Sequence, residues 1–409
     1  MHDVVVVGGG PAGCYAASLL GEKGFDVHLL EEHEVIGEPV DCSGVIGAEA
    51  FAALGLPDSL KLGEINNLTL VSPSNLEVRF SPSSPLACIV NRAAFDRSIA
   101  ERTIASGVTL HLGARVVNLE VHNGYVEALF EEGFNGHAKS EIRRRTLRAS
   151  MGILAGGPRY ALQRKLGMGQ PRDFLRTAQA ETEVHGIDEA RVFMGSRVAP
   201  GSFAWIVPFH KTGRTMARIG VSAKMNPARF LGDLAAQLYR QGHLRSPDLS
   251  MRSWVIPVRP LPRTFGNRVL AVGDAAGQTK PTTGGGIVYA IFSAEAAAHT
   301  ITAAFEKQDF SAAVMSGYEK EWRKILGREI RIGAFFRRIA ERLTDKEIDD
   351  LFRVTLSDGV LSAVTSKARF DWHRDVIYFA LRHPALGRIF LKGLFRSRTG
   401  NSKGRIADG

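Results

Sequence analysis

The sequence has 409 residues, of which 44% are hydrophobic and 23% are charged. This composition is typical of a globular protein with two or three domains, and no apolar run approaches the about 20 residues of a membrane-spanning helix. The formal net charge is +10, and residues 320–409 carry 20 Lys and Arg against 11 Asp and Glu. Three cysteines make no disulfide framework and the N-terminus lacks the features of a signal peptide, so we expect a cytoplasmic protein.

The first residues contain a pattern typical of a dinucleotide-binding βαβ unit. Residues 4–7 are consecutive valines and predict a buried strand. Glycines follow at Gly8, Gly10 and Gly13, and residues 14–20 continue as an apolar helix. In such a unit the glycines permit a tight turn, a close approach of the backbone to a pyrophosphate and close packing of helix on strand. The helix N-terminus presents free N–H groups to the phosphates.

A second predicted strand, residues 25–30, ends at Glu31, 18 residues after Gly13. An acidic side chain at this distance is placed to accept hydrogen bonds from the ribose of an adenosine. Because strand, glycine turn, helix, second strand and acid occur within one unit, an α/β unit without a nucleotide is the weaker alternative.

Further along the chain, segments that continue this sheet alternate with segments of a second sheet. The apolar patterns predict helices at 48–53 and 91–105, strands at 67–72, 76–80, 107–111, 115–117 and 151–155, and a hairpin-like region at 118–148. A second sheet is predicted from the alternation at 177–192, 202–208 and 215–221. Residues 311–409 are predicted to be helical.

A second glycine motif begins at Gly273 and Asp274, which close a predicted buried strand at residues 268–272. A carboxylate at the carboxyl end of a strand suits the ribityl or pyrophosphate part of a flavin nucleotide. Three glycines at 284–286 then precede a predicted helix from Ile287. The dipole of this helix would favour the negative charge of a reduced isoalloxazine. Taken alone, a purely structural strand, turn and helix is the alternative.

The two glycine motifs resemble those of FAD-dependent oxidoreductases with the glutathione-reductase-like, hydroxylase-type fold. Three further stretches are similar to the geranylgeranyl reductase family, which saturates isoprenoid double bonds of lipids, pigments or quinones. They are residues 39–44 (PVDCSG), 92–96 (RAAFD) and 200–208 (PGSFAWIVP).

The resemblance implies an α/β protein in which a Rossmann-like FAD-binding domain is interleaved with an antiparallel β-sheet substrate domain, followed by a helical C-terminal region. The expected FAD-binding domain is discontinuous and comprises residues 1–66, 91–170 and 264–305. The expected substrate domain comprises residues 67–90 and 171–263. The basic helical region comprises residues 306–409.

The resemblance also implies which residues contact FAD and substrate. The expected FAD contacts are Gly8, Gly10, Ala12, Gly13, Glu31, Cys42, Gly44, Arg92, Val116, Asp274, Gly286 and Ile287. The expected substrate pocket includes Phe203, Trp205 and Pro208, although the aromatic pair could instead be core residues of the sheet. Cys42 is the candidate catalytic residue, because a thiol is largely protonated at neutral pH and could act as an acid or gate substrate entry. No His or Cys spacing indicates a metal site.

Two departures from the family's substrate motif leave the substrate open. Phe203 stands in place of a tyrosine and Val207 in place of a phenylalanine. The stretch fits the corresponding motif of flavin halogenases about as well, whereas Gly156 and Gly157 stand where flavin hydroxylases carry Asp-Gly. The alternatives are a flavin monooxygenase or halogenase, an electron-transfer flavoprotein that reduces a quinone, and an isomerase or cyclase that uses reduced flavin without net redox change.

The expected reaction is the saturation of geranylgeranyl-type double bonds by hydride transfer from reduced flavin, with a proton added to the other carbon. The protein must hold the alkene against the flavin and exclude water. No second glycine fingerprint for NAD(P) is present in the sequence. Electrons would therefore come from transiently bound NADPH, from reduced ferredoxin or from another redox protein.

The basic tail contains a predicted amphipathic helix at residues 384–396. Its apolar face carries Leu386, Phe390 and Leu394. Its basic face carries Arg388, Lys392 and Arg396. Such a helix suits peripheral docking to the anionic inner face of a membrane, and packing on the protein body is the alternative. Nucleic-acid binding is disfavoured because no recognition fold accompanies the charge.

Overall fold

The computed structural model describes residues 1–40, 42–133, 143–357 and 359–395. The strands are β1 (His2–Val7), β2 (Val27–Leu30), β3 (Val45–Gly47), β4 (Lys61–Ile65), β5 (Leu68–Val71), β6 (Glu77–Phe80), β7 (Ala87–Val90), β8 (Thr109–His111), β9 (Ala114–Val121), β10 (Val126–Glu132), β11 (Arg143–Leu154), β12 (Phe174–Glu183), β13 (Ala190–Met194), β14 (Phe203–Lys211), β15 (Arg214–Ala223), β16 (Arg252–Pro257), β17 (Phe265–Gly266) and β18 (Val269–Ala271).

The helices connect these strands and form the C-terminal region. They are α1 (Pro11–Gly21), α2 (Ala48–Ala53), α3 (Arg92–Ala105), α4 (Ala161–Lys165), α5 (Pro227–Arg240), α6 (Ile287–Lys307), α7 (Ala312–Ile325), α8 (Gly327–Ala340), α9 (Asp345–Thr355), α10 (Val360–Lys367), α11 (Arg374–Arg382) and α12 (Pro384–Phe395). Short 3-10 turns lie at Asp58–Leu60 and Gly273–Ala276.

The first sheet contains both glycine motifs and confirms the predicted Rossmann-like architecture. Its strand order is β17-β18-β11-β1-β2-β8, with β10 paired to β11 and β9 paired to β10. The pairs β1–β2, β1–β11, β11–β18 and β2–β8 are parallel. Helices α1, α3 and α6 pack on one side. Because both faces of β1 are covered, Val4, Val5 and Val6 are fully buried.

The second sheet has the order β16-β12-β15-β14-β13-β5-β6 and is antiparallel except for the β13–β5 pair. Helix α5 covers one face, where Leu231, Leu234 and Leu238 pack on Ala204 and Ile206. The opposite face of the central strands packs on β4 and β7. Residues 177–192, predicted as one stretch, belong to both β12 and β13, because the chain turns between these strands.

A small third sheet, β3-β7-β4, joins the other two. Of the segment 67–90, β5 and β6 therefore lie in the second sheet and β7 in the third. Strand β7 is fully buried and leads directly into α3 through Asn91, whose side chain accepts a hydrogen bond from Ala94 N and so caps that helix. This connection fixes the position of Arg92 at the first turn of α3.

Helix α6 is, within the described part of the chain, the one helix long and apolar enough to cross a membrane. Of its apolar window, 67% is buried inside the protein. It lies against α1 and α7 and contributes Ala294, Ala297 and Ile301 to the main hydrophobic core. Its apolar character is therefore explained by core packing.

The apolar face of α12 packs on the protein body. Leu386 and Phe390 are 3% and 5% exposed and lie in a cluster with residues of α8, α9 and α11. The outward face of the helix carries Arg388, Leu391, Lys392 and Phe395, of which Phe395 is 82% exposed. Arg396 and the basic residues after it lie outside the described residues.

Candidate functional site

The N-terminal glycine turn has the close contacts that only glycine allows. Gly8 has φ +109°, and a Cβ atom on it would lie 2.5 Å from the carbonyl oxygen of Ala155. A Cβ on Gly13 would lie 1.9 Å from the carbonyl oxygen of Gly8. Gly10 is different, because no atom lies within 4 Å of its Cβ position. The start of α1 therefore faces open space that a phosphate group could occupy.

Glu31 lies beside this turn at the end of β2. Its Oε2 accepts a hydrogen bond from Gly9 N at 2.6 Å, and its Oε1 accepts one from His33 N at 2.9 Å. The residue is 8% exposed. Ala114 N donates to the carbonyl oxygen of Glu31 at 2.7 Å, which brings the start of β9 to the same corner. Val116, two residues later, is therefore close to the expected adenosine end of the site.

The second glycine motif contacts the first. A Cβ on Gly273 would lie 2.9 Å from Cβ of Ala12, and a Cβ on Gly286 would lie 2.8 Å from Oδ1 of Asp274. The Asp274 carboxylate is thus held at the N-terminal end of α6, which begins at Ile287. Burial raises the pKa of Asp274 to about 6, and the neighbouring Arg92 guanidinium opposes this rise. The structure therefore brings both motifs and Arg92 into one site.

Cys42 lies on a loop between the first motif and β3. It is half-buried, and Gly44 N lies 3.4 Å from its Sγ. Arg92 contacts Cys42 and donates two hydrogen bonds of 2.9 Å to the Asp96 carboxylate. Burial alone would lower the pKa of Arg92, but the Asp96 charge raises it overall, so the guanidinium stays charged. Asp41, the third residue of the predicted motif, lies outside the described residues.

Arg218 is a site residue that sequence reasoning missed. It lies on β15, is 4% exposed, and its Nη1 donates to the carbonyl oxygens of Ser43 at 2.7 Å and Val90 at 3.1 Å. Its Nε donates to Oε2 of Glu181 at 3.1 Å. The second sheet thereby holds the Cys42 loop. The available signal was a charged residue inside the apolar run of residues 215–221.

The structure brings together two of the three predicted substrate-pocket residues. Phe203 and Trp205 lie on one face of β14 with ring centroids 5.8 Å apart, and Trp205 Nε1 donates to Oε1 of Gln179 at 3.3 Å. Trp205 also packs over Gly220 of the adjacent strand, where a Cβ would lie 2.2 Å from the indole. Pro208 is on the opposite face of the strand, because side chains alternate along it.

A cleft of about 960 Å³ lies between the two sheets. One wall comes from the segment before the Cys42 loop, and the other comes from the second sheet. The lining residues are Glu32, His33, Glu34, Val35, Glu38, Pro39, Val40, Ala93, Arg159, Thr177, Gln179, Ala180, Glu181, Arg218, Ser250, Arg252 and Trp254. Gln179 connects this cleft to Trp205. A cavity of this size is in the range of cofactor and ligand sites.

Three possible metal ligands meet away from the cleft. The ligand atoms of His2, Asp26 and His28 lie within 4.8 Å of one another at the amino ends of β1 and β2. His28 Nδ1 is also 2.9 Å from His111 Nε2. Sequence spacing could not indicate this group, because it is assembled across neighbouring parallel strands.

The residues present fit FAD. Gly10 leaves open space at the start of α1 that a pyrophosphate could occupy, Glu31 lies beside this glycine turn, and Asp274 is fixed at the amino end of α6. Cys14 and Cys88 are buried packing residues, and burial raises the pKa of Cys14 to about 12. Fold and site together define an FAD-dependent oxidoreductase of the glutathione-reductase-like, hydroxylase-type class.

Comparisons with known proteins identify the family within this class. The chain is 30% identical over 373 residues to digeranylgeranylglycerophospholipid reductase 2 of Methanothermobacter thermautotrophicus, covering 89% of this chain and 94% of that protein. It is 29% identical to digeranylgeranylglycerophospholipid reductase 1 of Methanococcoides burtonii, with 86% of each chain covered. A family model described as lycopene cyclase protein matches residues 3–355. The chain belongs to the geranylgeranyl reductase family.

Solved structures agree on the fold. A geranylgeranyl bacteriochlorophyll reductase-like protein from Thermoplasma acidophilum has a TM-score of 0.80 and 22% identity, covering 96% of this chain and 99% of that one. The p-nitrophenol 4-monooxygenase of Pseudomonas putida has a TM-score of 0.69 and 19% identity, covering 90% and 97%. At these identities the likeness extends to the fold alone.

Proposed function

We propose that this protein saturates the isoprenoid double bonds of a glycerophospholipid that carries geranylgeranyl chains. The observation that carries the proposal is the near full-length similarity to digeranylgeranylglycerophospholipid reductases, one of them 30% identical over 89% of this chain. The cleft between the two sheets supports it, because its second-sheet wall includes Trp254 and adjoins Phe203 and Trp205 through Gln179. These aromatic side chains suit an isoprenoid tail.

Different residues of the site would bind different parts of FAD. Gly10 and the start of α1 would bind the pyrophosphate, Glu31 the adenosine ribose, and Asp274, Gly286 and Ile287 the flavin end of FAD. When bound, reduced FAD supplies the hydride for the alkene. The apolar side chains near the cleft would align the alkene and exclude water, which strengthens the electrostatic interactions of the site.

Cys42 is the proposed proton donor or entry gate. It lies in the loop that Arg218 holds and next to the Arg92 guanidinium. Saturation of one double bond requires a hydride on one carbon and a proton on the other, so the substrate gains two hydrogen atoms. Among the predicted site residues, we assign the delivery of this proton to the Cys42 thiol.

The bound flavin needs an electron donor, and access to a lipid substrate needs contact with a membrane. NADPH or a reduced ferredoxin would reduce the bound flavin, since the chain has one dinucleotide fingerprint. The outward face of α12, with Arg388, Leu391, Lys392 and Phe395, would contact the inner leaflet of the membrane that holds the substrate.

The decisive experiment is an anaerobic turnover. The purified holoenzyme is reduced with dithionite, excess reductant is removed, and a digeranylgeranyl glycerophospholipid is added. Reoxidation of the flavin without oxygen, together with a product heavier by multiples of two hydrogens, is the expected result. Reduced flavin that persists until air is admitted, with lipid of unchanged mass, would contradict the proposal.

A second candidate is a cyclase or isomerase that needs reduced flavin without net redox change. The match of residues 3–355 to the lycopene cyclase family model favours it. The same turnover distinguishes the two candidates, because a cyclase leaves the substrate mass unchanged while altering its retention, and leaves the flavin reduced. We prefer the reductase because the similarity to named reductases extends over nearly the full length of both chains.

A further inference from the structure

A second concave surface lies behind the turn that carries Asp274. It has a volume of about 520 Å³ and is formed by the segment between β16 and β17, the end of α7 and one face of α8. The charged side chains that line it are all arginines, and we call this surface the arginine groove. They are Arg172, Arg259, Arg323, Arg331 and Arg338.

Much of the positive charge in the arginine groove is uncompensated. Arg259 pairs with Asp173 at 2.6 Å, and Arg323 pairs with Glu319 at 2.9 Å. Arg172, Arg331 and Arg338 have no acidic partner within residues 1–40, 42–133, 143–357 and 359–395, and all three are exposed. Arginines without acidic neighbours attract a partner that brings its own negative charges.

The floor of the arginine groove is apolar and aromatic. Trp322, Ile330 and Leu261 are buried beneath it, whereas Phe335 is 37% exposed at its edge. The Arg338 guanidinium lies 5.6 Å from the centre of the Phe335 ring. Exposed arginine next to aromatic and apolar side chains is the composition found at the centre of protein–protein interfaces. The groove therefore suits an acidic protein surface.

One wall of the arginine groove, residues 259–262, packs on the back of the turn Gly273–Ala276, which carries Asp274. Leu261 N donates to the carbonyl oxygen of Ala276 at 2.9 Å. A Cβ on Gly277 would lie 2.2 Å from the carbonyl oxygen of Arg259, so the two segments touch. A protein bound in the arginine groove would be separated from the Asp274 end of the site by this turn and one layer of backbone.

We propose that the arginine groove docks a small acidic electron-transfer protein that reduces the bound flavin. The proposal rests on the proposed function, since it supplies the electrons that an FAD-dependent reductase consumes. Two molecules of a one-electron donor are each oxidised by one electron, and these two electrons with two solvent protons convert FAD to FADH₂. Steered, short-lived encounters of this kind need only a small charged interface.

The test compares charge reversal inside and outside the groove. Anaerobic stopped-flow measures flavin reduction in the oxidised holoenzyme by a reduced two-[4Fe–4S] ferredoxin, for wild type, for Arg331→Glu with Arg338→Glu, and for Arg172→Glu. The matched control is Arg229→Glu with Arg240→Glu, which makes the same charge change on exposed positions of α5, outside the groove. Dithionite, a small reductant that needs no docking, is run in parallel.

We expect the groove variants to be reduced by ferredoxin about tenfold or more slowly than the control variant, with a weaker salt dependence. Reduction by dithionite should be unchanged, which shows that the flavin site is intact. Equal ferredoxin rates in groove and control variants would overturn the proposal. It would also be overturned if NADPH reduced the wild-type holoenzyme and the groove variants lost that reaction, because the groove would then bind a nucleotide.

The outcome is independent of the lipid chemistry. Flavin reduction is measured before any alkene is added, so a holoenzyme that accepts ferredoxin electrons through the groove but fails to saturate prenyl chains would refute the proposed substrate alone. Conversely, normal turnover with chemically reduced enzyme and groove-insensitive ferredoxin rates would refute the docking site alone. Arg172→Glu lies on a different segment from α8, so a folding defect in one variant does not prevent the test.

Discussion

Arg218 connects the second sheet to the loop that carries Cys42. Its Nη1 donates hydrogen bonds to the carbonyl oxygens of Ser43 and Val90, which ties β15 to the Cys42 loop and to the end of β7. The charge is partly balanced by Glu181, which also accepts a longer contact from the exposed Lys211 at 3.4 Å. One side chain thus positions the candidate proton donor relative to the cleft.

We predict that Arg218→Met lowers the free energy of unfolding by about 2 to 4 kcal/mol, because buried carbonyl groups lose their donors. It should also reduce turnover of the chemically reduced enzyme, since the Cys42 loop is no longer held. Lys211→Met is the matched control, because it also removes a cation from Glu181 but is exposed, and should change stability by at most about 0.5 kcal/mol. Urea denaturation and single-turnover kinetics measure both effects. Equal stability and turnover of the two variants would show that Arg218 does not hold the Cys42 loop.

Substitution of Cys42 should separate FAD binding from turnover. Cys42→Ser should retain FAD at wild-type occupancy and lose most turnover, because the thiol contributes to chemistry or entry and the glycine motifs hold the cofactor. Cys88→Ala, a change at a buried cysteine on β7, controls for the loss of a thiol. Flavin absorbance and product mass report the two quantities separately. Unchanged turnover in Cys42→Ser would leave the loop with a structural role only.

Asp274 makes folding of the flavin-free protein depend on pH. Burial raises its pKa to about 6, above its value in the unfolded chain, so the native state binds the proton more tightly. The contribution of Asp274 to stability is therefore fully present below about pH 4 and falls by up to about 3 kcal/mol as the pH rises to about 6. Asp274→Asn should remove this fall and be more stable than wild type at pH 7, while binding FAD more weakly.

The control for this pH effect is Asp233→Asn, since Asp233 is exposed on α5. Urea midpoints of the flavin-free proteins across this pH range distinguish the variants. If wild type and Asp274→Asn show parallel pH profiles, the carboxyl group is ionised without cost in the native state and the burial argument fails.

At the scale of single elements, α12 has two faces of different composition. Its inner face packs against α8, α9 and α11 through Leu386 and Phe390. Its outer face alternates cationic and apolar side chains at positions 388, 391, 392 and 395, which are close neighbours on a helix. Basic and aromatic residues on one exposed face favour contact with an anionic lipid surface.

We predict that Leu391→Glu with Phe395→Glu abolishes co-flotation with phosphatidylglycerol vesicles while changing stability by at most about 0.5 kcal/mol, because both side chains are exposed. Met225→Glu, at a residue that is 71% exposed elsewhere, is the control and should float normally. Leu386→Ala, on the inner face, should instead lower stability by about 2 to 4 kcal/mol. Undiminished flotation of the outer-face variant would exclude α12 as the membrane contact.

The elements differ in how far sequence could predict them. The βαβ unit was predictable because residues 4–31 encode strand, turn and helix by local spacing, and the Rossmann-like fold is confirmed. The face of α12 that meets solvent was not, because periodicity locates Leu386 and Phe390 on one side but does not say whether lipid or protein covers them. Arg218 and Ser43 are 175 residues apart, so their contact has no local signal.

For the whole molecule, a buried ion pair joins the C-terminal helices to the segment that leads from Asp274 into α6. Lys280 Nζ is 2.7 Å from Asp371 Oδ1, and the two side chains are 5% and 7% exposed. Lys280 also donates to the carbonyl oxygen of Phe370 at 3.2 Å and lies directly under Gly285, where a Cβ would be 2.4 Å from its Cε. The loop before α11 therefore supports the turn that leads into α6.

Substitutions of the Lys280–Asp371 pair should affect both the stability of the fold and the binding of FAD. Asp371→Asn leaves the buried Lys280 without a counter-charge. It should lower the free energy of unfolding by about 3 to 5 kcal/mol and should also weaken the binding of FAD. Lys280→Met combined with Asp371→Leu removes both charges and should recover most of the stability, since an apolar pair of similar size replaces a costly desolvated one. Urea denaturation gives stability, and equilibrium dialysis gives FAD affinity. If the double variant regains stability but still loses FAD, Lys280 also positions the segment before α6 for FAD binding. If it regains both, the ion pair only joins this segment to the C-terminal helices.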